Sequence, residues 1–164
     1  MTNANPPMPM IERRRIEATI LKHVYETLKA SHGESVARKA VADAVRRSSI
    51  EQGAAMARQA EGGTSLQSFM AIQSLWTAED ALRIEVKEES ADRFAFNVTR
   101  CRYAEMYREM GLGEIGHLLS CQRDGTFCEG YDSRLKLTRT QTIMQGASHC
   151  DFDYRMAADP GEEA

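Results

Sequence analysis

Towards its C-terminus the chain reads GASHCDFDYRM, Gly146 to Met156, where His149-Cys150-Asp151 sets a proton carrier, a thiol and a carboxylate side by side. Each of the three can bind a metal, move a proton or attack an electrophile, so whatever else reaches them decides whether they form a site. Cys101, Cys121 and Cys128 complete the thiols. None of the four cysteines pairs as CxxC, so neither a zinc ribbon nor a thioredoxin-type motif is present, and any cluster must be made by folding. Cys101 stands between Arg100 and Arg102, in the first turn of a helix that Thr99 is expected to cap. The helix N-terminus and two cations favour its thiolate, but the dipole is worth only roughly 0.3 to 1 kcal/mol, less than one pKa unit. The alternative is a half-buried structural cysteine. Cys128 falls in the Gly-flanked stretch DGTFCEG, which reads as a loop with no activating charge.

Two further positions stand out. His117, Cys121 and Asp124 recur at i, i+4 and i+7 of a short predicted helix, a spacing that lines them along one side. Gly125 should end that helix, which places Asp124 near a C-terminus where the macrodipole disfavours a carboxylate; the mismatch favours a functional role. His117 reads either as a ligand to substrate or as an edge-of-core residue. Arg139 follows Leu135 and Leu137 in strand alternation, so it points to the same inner face. A buried arginine there holds a substrate carboxylate or pairs with an acid such as Asp124, unless a bulge returns it to solvent.

The elements that must position these residues can be read from periodicity. Ile16, Ile20, Leu21, Val24 and Leu28 mark an amphipathic helix over Ile11 to Ala30, stopped at Ser31-His32-Gly33, and a longer helix runs from Glu34 to about Gln59. A third, capped by Thr64 or Ser65, extends to Glu79. The period then changes to 2: Leu82, Ile84 and Val86 form one strand and Phe94, Phe96 and Val98 the next, turned at Ser90-Ala91-Asp92. A helix over Thr99 to Met110 with Gly111 as its cap and a short helix over Glu114 to Asp124 follow, then a strand from Leu135 through Ile143 and a last one from Cys150 to Met156. The fold class is α+β: N-terminal helices on a mostly antiparallel sheet of about four strands, with two short helices inserted between the hairpin and the last strands. Residues 1–10 read as a disordered tail, 11–156 as one domain and 157–164 as an acidic tail.

Composition narrows the partners. With 164 residues, 42% of them hydrophobic, the chain can bury one core. A formal net charge of -3 gives no basic field for nucleic acid, and no apolar run reaches membrane-spanning length. The expected partner is a small molecule, the expected location the cytoplasm, where thiols stay reduced, and a homo-oligomer stays open.

In order along the chain, NVTRCRYAEMYREMG, LLSCQRD and TIMQGASHCDF resemble the L-2-amino-thiazoline-4-carboxylic acid hydrolase family, over about Trp76 to Tyr154. The resemblance carries over Cys101, Cys121, Asp124, Gly146, Cys150 and Asp151, and leaves out His117, Cys128 and His149. It implies hydrolytic opening of a cyclic isothiourea, with water added at the carbon between nitrogen and sulfur. Two mechanisms fit. In one, Cys150 or Cys101 is the nucleophile, Asp124 or Asp151 the base, and Arg139 and His117 bind substrate, with no cofactor required. In the other, Cys101, Cys121 and Cys150 hold zinc, although three thiolates would blunt the metal's acidity. A non-catalytic metal or thiol-redox sensor is the reading from a different class.

Overall fold

The computed structural model describes residues 7–161, so the expected tails lie outside the described residues at 1–6 and 162–164. Two long helices, α1 (Met10–His32) and α2 (Glu34–Ala57), form a hairpin about Gly33. Met10, placed in the tail by sequence, opens α1 and is buried. α3 (Leu66–Ala71) and α4 (Ser74–Thr77) follow. Ser65 caps α3 in a reciprocal capping box with Ser68. The single third helix expected to Glu79 is therefore broken in two, and the chain turns sharply at Glu79 and Asp80, both at positive φ, to enter the sheet.

The sheet comprises β1 (Leu82–Glu89), β2 (Arg93–Cys101), β3 (Leu135–Thr138) and β4 (Cys150–Met156), antiparallel throughout in the order β1-β2-β4-β3. In the central pair, Phe94, Phe96 and Val98 lie opposite Tyr154, Phe152 and Cys150. The period-2 alternation of both strands puts these six side chains on one face. Phe96 and Phe152 stack at 4.9 Å between ring centroids, a geometry worth about 0.5 to 1.5 kcal/mol beyond the area buried.

Between β2 and β3 come α5 (Arg102–Glu109), a single π turn at His117–Cys121 and α6 (Gln122–Tyr131). Gly111, at φ 74°, terminates the α5 segment as expected. The cap at the other end is Cys101 rather than Thr99: its sulfur accepts the Ala104 N–H at 3.4 Å. Gly125 does not end a helix. Its φ is not positive, and Phe127, Cys128 and Tyr131 continue the helical pattern into the core, so α6 runs on to Tyr131. Cys128 consequently sits inside α6, buried, with its thiol donating to the Asp124 carbonyl at 3.3 Å, and not in a loop. β3 is shorter than expected because Thr142 caps a tight 3-10 turn over Ile143–Gln145.

α6 crosses α2 with almost no side chain between them. A Cβ on Gly130 would overlap the Ile50 carbonyl, and one on Gly53 would overlap the Phe127 carbonyl, so only glycine allows this approach. α1 faces the core differently from the apolar stripe read in its sequence. Ile16 and Ile20 are 56% and 65% exposed, while Arg14, Ala18 and Tyr25 face inward with partly buried Leu21 and Leu28. The inner face of α1 thus carries a buried cation.

Candidate active site

A cavity of about 50 Å³ opens between the sheet face, α5 and the π turn. Three well-separated segments deliver thiols to its wall: Cys101 at the β2–α5 junction, Cys121 at the end of the π turn and Cys150 at the start of β4. Cys150 reaches the cavity because it shares the inward face of β4 with Phe152. Asp124 and Arg139 complete the charged part, and Trp76, Tyr103, Tyr107 and Phe152 supply the aromatic part of the wall.

Arg139 lies just beyond β3 and is 14% exposed. Its Nη1 donates to Asp124 Oδ2 at 2.6 Å, its Nη2 to the Cys121 carbonyl at 2.9 Å, and its guanidinium lies 4.9 Å from the Phe152 ring centroid. Of the roles open in the sequence, pairing with Asp124 is the one observed. Asp124 keeps 27% of its side chain accessible, and its place on the cavity wall directs that surface to the enclosed space. Burial pushes its carboxyl above the ordinary range, against the attraction of Arg139. Asp124 belongs to the first turn of α6, so the dipole mismatch inferred for a helix C-terminus does not arise.

The thiols are controlled by burial. Cys101 is pushed up to about 11 by desolvation, which outweighs the Ala104 N–H. Its sequence neighbours do not rescue it: Arg100 is engaged by Glu105 and Asp80, and Arg102 donates to the Glu79 carbonyl. The thiolate expected from two adjacent cations is thus overturned by where those cations point. Cys121 is pushed up to about 12, mainly by burial. Cys150 is also raised by burial, but two features oppose it: the Ile143 N–H donates to Sγ at 3.2 Å, and Arg139 adds a cation.

Asp151, the next residue on β4, points to the opposite side and does not line the cavity. It accepts the N–H groups of Thr140 and Gln141 at 2.9 and 3.0 Å and the Thr140 hydroxyl. Burial alone would raise its pKa, but these donors together bring it below the ordinary range. It holds the segment that follows Arg139. His149 contacts Ser148 and Gln141, and His117, lowered by burial and by Arg38, stays outside the cavity. The i, i+4, i+7 line drawn through His117, Cys121 and Asp124 fails because the turn between the first two is π, which changes the angular spacing. Among the described residues no group of three or more His, Cys, Asp or Glu side chains is placed to hold a metal ion, so the three cavity cysteines do not fit a shared zinc shell.

Sequence reasoning missed Trp76, Tyr103, Tyr107 and Ser120 on the wall. The only signal for Tyr103 and Tyr107 was their i, i+4 spacing after Cys101, which reads equally as ordinary core.

The family model described as L-2-amino-thiazoline-4-carboxylic acid hydrolase matches residues 13–154 of the chain. No curated protein matches it. Among solved structures it is similar to the crystal structure of the phenol-responsive sensory domain of the transcription activator PoxR with phenol. The TM-score is 0.51 at 13% identity, over 85% of this chain and 73% of that one, a likeness of fold alone.

Proposed function

The chain belongs to the L-2-amino-thiazoline-4-carboxylic acid hydrolase family, and from that premise we propose that its cavity opens a small cyclic isothiourea by hydrolysis, with Cys150 as nucleophile and Asp124 as general base. What supports this reading is that Cys101, Cys121, Asp124 and Cys150, four of the six family-like positions and drawn from three separate segments, line one cavity.

The choice of thiol follows from magnitudes. Holding Cys101 ionised at pH 7, four units below about 11, would cost about 5 kcal/mol at 1.36 kcal/mol per unit. Cys150 has both a backbone donor and Arg139 to support negative sulfur. A carboxylate lifted by burial is a better base than a free aspartate, so attack is coupled to proton transfer rather than preceded by it. Cys150 Sγ adds to the ring carbon between nitrogen and sulfur while its proton passes to Asp124. The bond from that carbon to the ring sulfur then breaks, and the sulfur leaves as a thiol by taking that proton from Asp124, which returns to a carboxylate. Water adds to the same carbon as its proton goes to Asp124, and the bond to Sγ breaks as Asp124 passes that proton to the sulfur, restoring the Cys150 thiol and releasing a carbamoyl product. Asp151 is a positioning residue in this scheme, acting through the Thr140–Gln141 backbone.

Incubation with L-2-amino-thiazoline-4-carboxylate and mass analysis for N-carbamoyl-cysteine tests the reading. Product should form with the parent protein and fall by about 10²-fold or more in Cys150→Ser and Asp124→Asn. Full turnover in Cys150→Ser would remove it as nucleophile. One observation favours a binding-only reading: every cavity thiol is held protonated. Stabilisation by the ring compound with no product at all would support that reading instead.

A further inference from the structure

A second chamber of about 40 Å³ adjoins the first, and the two share Trp76, Leu82, Asp124 and Phe152. Its far wall carries Arg14 from α1 and Arg123 from α6, which are 3% and 6% exposed. Two guanidiniums at that depth need compensation, yet they share one acid. Arg14 Nη1 donates to Glu17 Oε1 and Oε2 at 3.0 and 2.9 Å and its Nη2 to Gln52 Oε1 at 3.0 Å. Arg123 Nη2 donates to the same Glu17 Oε2 at 3.1 Å, its Nε to the Leu119 carbonyl at 2.9 Å and its Nη1 to Ser48 Oγ at 3.5 Å. Arg139 and Asp124 neutralise each other. The three guanidiniums that line the joined chambers, Arg14, Arg123 and Arg139, are thus met by two carboxylates, Asp124 on the wall and Glu17 outside both chambers, and one positive charge is left over. An unbalanced cation away from water is costly to keep, which points to a ligand that brings the missing negative charge. The push of burial and of Arg14 on Arg123, down to about 10, has the same origin.

We propose that Arg14 and Arg123 form a carboxylate subsite, which fixes the acid group of the ring substrate in the second chamber while the ring reaches the first beside Cys150 and Asp124. The inference rests on the hydrolase reading for the identity of the ligand, an amino-thiazoline carboxylic acid, whose carboxylate meets the excess charge in the second chamber while its basic ring lies beside Asp124 in the first. It moves substrate anchoring away from Arg139, whose charge Asp124 already neutralises, to the two guanidiniums that share a single acid. Arg14 and Arg123 become specificity determinants.

The test compares calorimetric titrations with L-thiazolidine-4-carboxylate, which keeps the ring and acid but has no amidine carbon to attack, and thiazolidine, which lacks the acid. The unmodified protein should bind the carboxylate about tenfold or more tighter. Arg123→Met should abolish that preference while Arg139→Lys keeps it. Because Arg14 still pairs with Glu17, Arg123→Met strands no acid. Should it nonetheless fail to fold, Arg123→Lys, which keeps the charge and loses the planar fork, should weaken carboxylate binding selectively. Equal binding of the two rings, no binding of either, or a preference that survives in Arg123→Met or Arg123→Lys and vanishes in Arg139→Lys overturns the proposal. Failure of the hydrolase reading looks different: carboxylate preference intact, but no N-carbamoyl-cysteine from L-2-amino-thiazoline-4-carboxylate.

Discussion

Removing Arg139 tests the electrostatic frame of the cavity without reference to turnover. Its guanidinium is the direct partner of Asp124 at 2.6 Å and also ties the Cys121 carbonyl and covers Phe152. In Arg139→Ala the carboxylate stays in the cavity wall with its counter-charge gone. Breaking a buried pair from one side typically costs about 3 to 5 kcal/mol. The pH dependence has a definite sign. Asp124 is already raised by burial, and loss of Arg139 raises it further, so its folded pKa lies above its unfolded value. Such an acid carries its full penalty on the native state above its folded pKa, and the penalty fades as pH falls from there towards the unfolded pKa. Urea denaturation at pH 7 and pH 5 should therefore show a large loss at neutral pH that shrinks at acid pH. Adding Asp124→Asn to Arg139→Ala should recover part of the loss at pH 7, because no charge is then stranded. A cost below about 1 kcal/mol at pH 7, the ordinary value of a solvent-screened pair, would show that the pair is effectively open to water and would refute the enclosed-cavity account.

Gly130→Ala forces a Cβ into the Ile50 carbonyl across the α2–α6 crossing. It should cost about 3 kcal/mol or prevent folding, against about 1 kcal/mol gained in helix propensity, as read from the melting temperature; an unchanged melt would mean that the two helices are further apart. Cys128→Ser should leave turnover intact, since this thiol lines neither chamber, yet it should lower stability by about 1 kcal/mol because a hydroxyl replaces a buried thiol. The new hydroxyl can still donate to the Asp124 carbonyl as the thiol does. Loss of activity in a well-folded Cys128→Ser protein would place that cysteine in the chemistry.

The sheet was legible because alternation is a strong local signal. Phe94, Phe96 and Val98 and their partners Cys150, Phe152 and Tyr154 all face inward as their spacing requires. The helical layer was less so. The stripe of α1 suggested by Ile16, Ile20 and Val24 lies outward because the inner face is set by tertiary packing around Arg14, Ala18 and Tyr25, one of them charged. The same fact hid the second chamber: an arginine in a helical pattern reads as solvated, and only its juxtaposition with Arg123 from α6 shows a buried pair.

The position of Asp124 depends on a device that residue types do not reveal. In a regular α-helix His117 and Cys121, four apart, would share one face. In the structure the Gln122 N–H closes a π turn to the His117 carbonyl, which accommodates an extra residue and rotates everything after it relative to everything before. Cys121 and Asp124 enter the cavity wall and His117 does not. The same turn leaves the Cys121 carbonyl where Arg139 can reach it, so one guanidinium holds both the end of the π turn and the first turn of α6. A thiol, a carboxylate and a cation are thereby fixed to one another by backbone geometry rather than by side chains alone. Of the residues read from motif order, Cys101, Cys121, Asp124 and Cys150 line the cavity and Gly146 and Asp151 do not, and the turn between His117 and Cys121 decides which of their neighbours reach its wall.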